Sequence, residues 1–351
     1  MCCMRTDRAV CAESERDYLA SRFSVTGLRY SRRMANLHVE SWSPDYGSPY
    51  ESDAALAEPE RVDETVEVPG KWEPISGVDD GISEVAFVDG VRRVDARLTL
   101  DEPGSPVPGL CGSYAVGAVL WNRSIPRSEV IEARVSRLAV FAAGKGAPIP
   151  VVSPELSYRS ESVPDSDPAA LITRFHGAMR RAEGELSEEL AMAGRFVVSD
   201  GPINTMAATD KVGFIKSHRA PYLSAERSAV IARLGVAERT PLFLIGRGGT
   251  YERYSWYFRI AQLAGGHSWT GVVRGEVSAG LEKSRALTIA ARTTAIIPAV
   301  ASESHIDPRA PQNLVPIAAL ERELRRRLGD PGYVYRALRS AIMRTTPAGV
   351  T

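Results

Sequence analysis

From Val85 onward the apolar residues gather into short β-type runs, at 84–88, 92–100 and 112–122. Asp89-Gly90 reads as a polar turn between the first two, and a Pro/Gly segment from Glu102 to Gly109 joins the second to the third. Connections this short predict an antiparallel meander. Strand-like runs continue over 130–142 and around 149–159. The period then changes. Between Asp167 and Gly194, the residues Leu171, Ile172, Phe175, Met179, Ala182, Leu186, Leu190 and Met192 recur at helical spacing. Asp167-Pro168 supplies an N-cap followed by a first-turn proline, and Gly194 supplies the stop. A strand of buried type, Phe196–Ser199, follows directly and runs into Asp200-Gly201.

Three antiparallel strands, a helix, then a strand ending in a carboxylate is the order of a ribonuclease H-like α/β core, a mixed sheet continued by helix–strand units. Further strands are expected at Val212–Ser217, Pro241–Ile245, Ser255–Gln262 and Thr270–Val277. Helices are expected around Ala225–Leu234, Leu281–Ile296, Leu314–Leu328 and Gly332–Met343. The later ones form a C-terminal helical and strand elaboration. Upstream, a strand-like run at Leu37–Trp42 and turn chemistry over Ser43–Glu51 predict a surface-hugging arm to about Gly81. Residues 1–35 are expected to be a disordered extension.

Composition changes this picture little. The 351 residues are 44% hydrophobic and 25% charged, enough apolar material for one large or two modest domains. Lys+Arg and Asp+Glu both number 43, so a groove for a polyanion must come from local segregation of charge. Cys2, Cys3, Cys11 and Cys111 make neither a zinc spacing nor a disulfide framework. With no membrane-length apolar run and no apolar leader at the N-terminus, a cytoplasmic chain with no membrane partner is expected.

The candidate chemistry lies in acids at strand ends. Asp89 and Asp200 each close an apolar strand, and carboxylates brought together there repel unless a cation sits between them. Such a cation would polarise a phosphodiester and activate water. Taken singly, either Asp-Gly is more often a plain turn. The long helix offers Glu183, Glu185, Glu188 and Glu189, of which Glu183 lies at the edge of the apolar stripe and Glu189 is second choice. His305, in a loop before the last helices, is a candidate ligand or proton carrier, against the plainer reading of a surface histidine. Lys216, closing the strand from Val212, suits a phosphate. Arg219, Arg259 and Arg274 could follow a nucleic-acid backbone, with Trp256, Tyr257 and Trp269 as stacking surfaces. Each of these has the competing reading of a core aromatic or a snorkelling arginine. Gly246–Gly249 lacks the Lys-Ser/Thr ending of a phosphate loop.

Several motifs together resemble the NurA nuclease family: VAFVDGVRR at 85–93, FVVSDGPI at 196–203, VGFIKSH at 212–218, YSWYFR at 254–259 and DPRAPQNLVPIAALER at 307–322. WSPDYGSPY at 42–50 resembles bacterial members, and the likeness covers roughly 36–345. It implies a single nuclease domain over that span, with its core about 84–245 and a C-terminal part at 250–345. It further implies a manganese- or magnesium-dependent DNA nuclease that forms homodimers and works with HerA, a hexameric ATPase, in DNA-end processing. By motif position, Asp89, Asp200, Glu183, Lys216 and His305 match the family's catalytic set, with Asp89, Asp200, Glu183 and His305 as metal ligands. The separation of Asp89 from Asp200 is long for the family and places an insertion within 101–165. Two other readings stand beside this one: a non-catalytic DNA-end or ATPase adaptor on the same fold, and an ATP-using phosphotransferase.

Overall fold

The computed structural model describes residues 61–345, except 102–105, 126, 219–220, 247–250 and 264. The expected extension at 1–35, the run at Leu37–Trp42 and Arg219 lie outside the described residues. The first strands are β1 (Arg61–Asp63), β2 (Ile75–Ser76), β3 (Glu84–Leu100), β4 (Val107–Asn122), β5 (Arg127–Phe141) and β6 (Arg159–Ser162). After helix α1 (Pro168–Met192) come β7 (Val197–Asp200), β8 (Lys211–Ile215), β9 (Glu238–Arg239), β10 (Phe243–Gly246), β11 (Arg253–Arg259) and β12 (Val272–Ser278). Helices α2 (Lys283–Ile296), α3 (Val315–Arg327) and α4 (Pro331–Thr345) close the chain.

These strands form one mixed sheet in the order β1-β10-β11-β12-β8-β7-β3-β4-β5-β6, with β2 and β9 as a short pair beside β11. Its centre carries the topology that matters for the site. Strands β3, β4 and β5 are antiparallel neighbours, and after α1 the chain returns with β7 parallel to β3 and β8 parallel to β7. That is the ribonuclease H-like order expected from the element sequence. It also makes the β6–α1–β7 connection a crossover of the kind parallel strands require.

Asp89-Gly90 is not a turn. Strand β3 runs unbroken from Glu84 to Leu100, with Asp89 opposite Gly117 and Gly90 opposite Val116. A hairpin at that point would pair the two halves with each other. Instead both halves pair with β4, whose apolar run is long enough to bind each. Two other expected elements are also shorter than their patterns suggested. The run at 149–159 holds one 3₁₀ turn at Pro154–Leu156 before β6, and the helix around Ala225–Leu234 is reduced to one turn at Ala225–Ser228 and a 3₁₀ turn at Ile231–Arg233. There Ser224 and Arg227 bind Glu64, so the polar groups tie this segment to the upstream chain. That upstream chain is more than a surface arm. β1 extends the sheet edge, and Trp72 is buried against Phe243 with the Arg227 guanidinium over its ring.

The sheet is covered on both faces, and strand parity decides which residues face which cover. Ala86 and Val88 face α1 and pack with Leu171, Phe175, Met179 and Leu186. Val85, Phe87 and Val91 face the opposite layer, with Ile289 of α2 and Ile317, Leu320 and Leu324 of α3. Helix α1 begins where the sequence indicated. The Asp167 carboxylate accepts from the Ala169 amide at 2.9 Å, and Gly194 closes the helix at φ +83°. No helix among the described residues is long and apolar enough to cross a membrane.

Phe175 is the pin of the α1 layer, fully buried with its ring lying where a Gly112 side chain would stand. Phe175→Ala should cost about 3–5 kcal/mol through lost transfer energy and the cavity left behind. A shift of the urea midpoint with little change in slope would show it, and a loss under about 1 kcal/mol would mean α1 is not docked as described.

Candidate metal centre

Strands β7 and β8 end beside β3 while β3 runs on, which opens a pocket at their carboxyl ends. This is where open α/β sheets commonly place their chemistry. In the parallel register Val88 stands beside Ser199, so Asp89 and Asp200 follow side by side on the face that carries α3. Lys216 lies two residues beyond Phe214, the partner of Asp200 in β8, and points to that same face. Its ammonium donates to Asp200 Oδ2 at 2.6 Å. Helix α3 completes the group. Ile317, Leu320 and Leu324 form its apolar contact with the sheet, and Glu321 sits within that buried stripe. Oxygens of Asp89, Asp200 and Glu321 lie within 4.8 Å of one another.

Glu183 reaches the pocket from the other face. One residue after Asp89, strand parity turns Gly90 toward α1, and a side chain at Gly90 would overlap the Glu183 carboxylate. The missing side chain is therefore a window through which a glutamate on one face of the sheet approaches aspartates on the other. Glu183 lines the pocket, which has a volume near 470 Å³, but lies outside the three-acid group. The other helix glutamates are engaged elsewhere or turned outward. Glu188 binds Lys211, Thr205 and Thr209, Glu189 pairs with Arg134, and Glu185 is exposed.

A chain of hydrogen bonds links two of the acids to one another. Lys216 also donates to Asn313 Oδ1 at 2.8 Å, and Asn313 Nδ2 donates to Asp307 at 2.7 Å. Asp307 accepts from Arg309, and the Arg309 guanidinium donates to both Glu321 oxygens at 2.8 and 2.9 Å. Two of the converging carboxylates, Asp200 and Glu321, are thus tied together through Lys216, Asn313, Asp307 and Arg309. Burial by itself would raise Asp307, but its bonds to Arg309 and Asn313 outweigh this and hold its carboxyl below the usual range. Asp89 has the opposite fate. Burial pushes its carboxyl well above the usual range, and the charges of Asp200, Glu183 and Glu321 push the same way, opposed only in part by Lys216. An all-oxygen donor set with excess negative charge suits a hard divalent cation such as Mg²⁺ or Mn²⁺. The residues present fit that ion.

The remaining candidates stand elsewhere. His305 is exposed, its imidazole 74% accessible and 3.4 Å from Glu303, and it does not line the pocket. Trp256 is fully buried in the core and offers no face to a base. Tyr257 and Trp269 pack edge to face, with Tyr257 itself buried. Arg259 is buried with its donors on the carbonyls of Leu234, Thr270 and Ser268, and Arg274 pairs with Glu276 beneath Tyr222. Neither arginine can track a nucleic-acid backbone, because protein acceptors already satisfy both. The residue that sequence reasoning missed is Glu321. Its signal was a carboxylate at 321 within the apolar spacing 317, 320, 324, inside a motif otherwise noted for its prolines and arginines.

Because Asp89 titrates higher in the folded chain than in the unfolded one, its contribution to stability is complete below the unfolded value and is lost as pH rises through the folded one. Metal-free protein should therefore lose stability from mildly acidic pH upward. Asp89→Asn should raise its Tm by roughly 2–4 °C near pH 8, with a smaller gain near pH 5. Mn²⁺ should raise the Tm of wild type more than that of the variant. Thermal melts in EDTA and in Mn²⁺ test this, and an Asp89→Asn protein less stable than wild type at pH 8 would contradict it.

No family model matches the chain, and no curated protein does. Among solved structures, the NurA nuclease from Sulfolobus solfataricus aligns with a TM-score of 0.43 at 9% identity, over 80% of this chain and 89% of that one. The ribonuclease H-like order rests on the strand order and directions themselves, not on that alignment.

Proposed function

We propose that this chain is a metal-dependent DNA nuclease of the NurA type, hydrolysing phosphodiester bonds at the pocket between β3, β7 and α3. The observation that carries the reading is the convergence of Asp89, Asp200 and Glu321 within 4.8 Å at the carboxyl end of the parallel strands. Acids confined this closely are unfavourable unless a cation offsets them. Such a pocket is wasteful as a purely structural feature and useful as a metal seat.

Asp89, Asp200 and Glu321 would hold the ion, and Glu183 stands close enough to the pocket to bind or orient a water beside it. A bound Mn²⁺ or Mg²⁺ supplies Lewis acidity toward the phosphate and lowers the pKa of water. The protein's own groups do the rest. Lys216, anchored between Asp200 and Asn313, brings a positive charge to the pocket wall, where charge accumulates as a phosphodiester is attacked. Arg309 holds the Glu321 carboxylate by both oxygens and so fixes its direction. The exposed position of His305 gives it no role in this arrangement. Homodimer formation, a HerA-type ATPase partner and a role in DNA-end repair in the cytoplasm belong to the same proposal and are supported by the motif resemblance.

In a cleavage assay with Mn²⁺ on single- and double-stranded DNA, wild type should cut and EDTA should stop it. Asp89→Asn, Asp200→Asn and Glu321→Gln should each lose about two orders of magnitude or more. Full activity of Glu321→Gln would remove α3 from the site. No cleavage by pure protein under any divalent metal would favour the adaptor reading. Asn313→Ala keeps every proposed ligand but breaks the Lys216–Asp307 link. It should raise the Mn²⁺ concentration for half-maximal activity by about 10–100-fold, and an unchanged metal requirement would show that the network is idle.

A further inference from the structure

Three of the four elements that deliver an acid to the pocket, β3, α1 and α3, also deliver an arginine to its wall. Arg180 precedes Glu183 by three positions on α1, Arg325 follows Glu321 by four on α3, and Arg92 follows Gly90 by two on β3. Residues at these spacings share a helix face or a strand face, and all three arginines line the same pocket as the acids. They stand on both sides of the sheet. Gly90 and Arg92 share the α1 face with Arg180, while Arg325 belongs to the α3 face and touches Glu321 at 3.2 Å. Arg180 is half-buried, and among the described residues nothing pairs with its guanidinium.

An acid floor and an arginine wall make opposite demands. The floor takes a cation, and with it the reacting phosphate. A single phosphodiester seated there cannot also satisfy guanidiniums approaching from two sides of the sheet. A strand with phosphates on either side of the reacting one meets both demands at once. We infer that Arg180 and Arg92, on the α1 side, and Arg325, on the α3 side, grip the phosphates flanking the scissile one. The site thereby selects a polynucleotide strand over a mononucleotide or a small diester. This rests on the nuclease reading for the reacting phosphate, whereas the grip itself is a binding property that can be measured apart from cleavage.

The test is fluorescence anisotropy of a labelled single-stranded oligodeoxynucleotide on the full chain carrying Asp89→Asn, titrated between about 50 and about 200 mM salt. Adding Arg180→Ala or Arg92→Ala should raise Kd about five- to tenfold at the lower salt. It should also reduce the slope of log K against log salt by about 0.7 for each arginine removed. Arg180→Lys should restore the slope, since an ammonium also displaces counterions. An unchanged Kd and slope on loss of Arg180 and of Arg92 would overturn the inference. So would failure of Arg180→Lys to restore the slope, which would mean that Arg180 acts through packing. If wild type cuts no DNA in Mn²⁺ while these slopes move as stated, the nuclease reading falls and the strand grip stands. If wild type cuts and the slopes do not move, the reverse holds.

Discussion

Repulsion among confined carboxylates is the constraint on which the rest of this structure depends. Asp89 is buried beside Asp200, with Glu321 and Glu183 closing on the same space. Left alone, such a group would take up protons or push its elements apart. The chain from Asp307 to Glu321 counters this without filling the pocket. Lys216 and Arg309 each bind an acid, and Asp307 and Asn313 lock the two cations to each other.

Strand parity turns that electrostatic problem into a geometry. Asp89 and Gly90 are adjacent in one continuous strand, so they face opposite layers of the sheet. Asp89 meets α3 and its Glu321. Gly90, by lacking a side chain, lets Glu183 of α1 approach the same pocket. A slip of one residue in β3 would send Asp89 into the α1 layer and close the window with Val91 or Asp89. The long pairing of β3 with β4, through a single irregularity between Val94 and Ala96, guards against that slip.

Much of this was legible in the chain, and the rest was hidden for definable reasons. The α/β order, the α1 caps and Asp200 at the end of its strand all follow from local chemistry that the fold keeps. Asp89-Gly90 misled because turn propensity is local, whereas the continuous partner strand that overrides it lies more than twenty residues away. Glu321 was hidden among the charges of a Leu/Arg-rich helix, and only its place in the apolar stripe marks it out. Arg259, Arg274 and Trp256 show the reverse error. Basic and aromatic residues in strands resemble a binding groove in one dimension, but here Arg259 meets backbone carbonyls, Arg274 meets Glu276, and Trp256 meets the core.

The same geometry makes the site a report on the whole fold. Its acids come from the sheet, from a helix on one face and from a helix on the other, so no single layer contains it. The α1 layer must dock through Phe175 and Leu186 before Glu183 arrives, and α3 must dock through Ile317, Leu320 and Leu324 before Glu321 does. A cation that binds only the assembled group therefore stabilises the packing of all three layers by mass action. Conversely, any loosening of α3 withdraws Glu321 and its partner Arg325 together. The proposed metal seat and one side of the proposed strand grip would then be lost in a single step, because one helix carries a part of each.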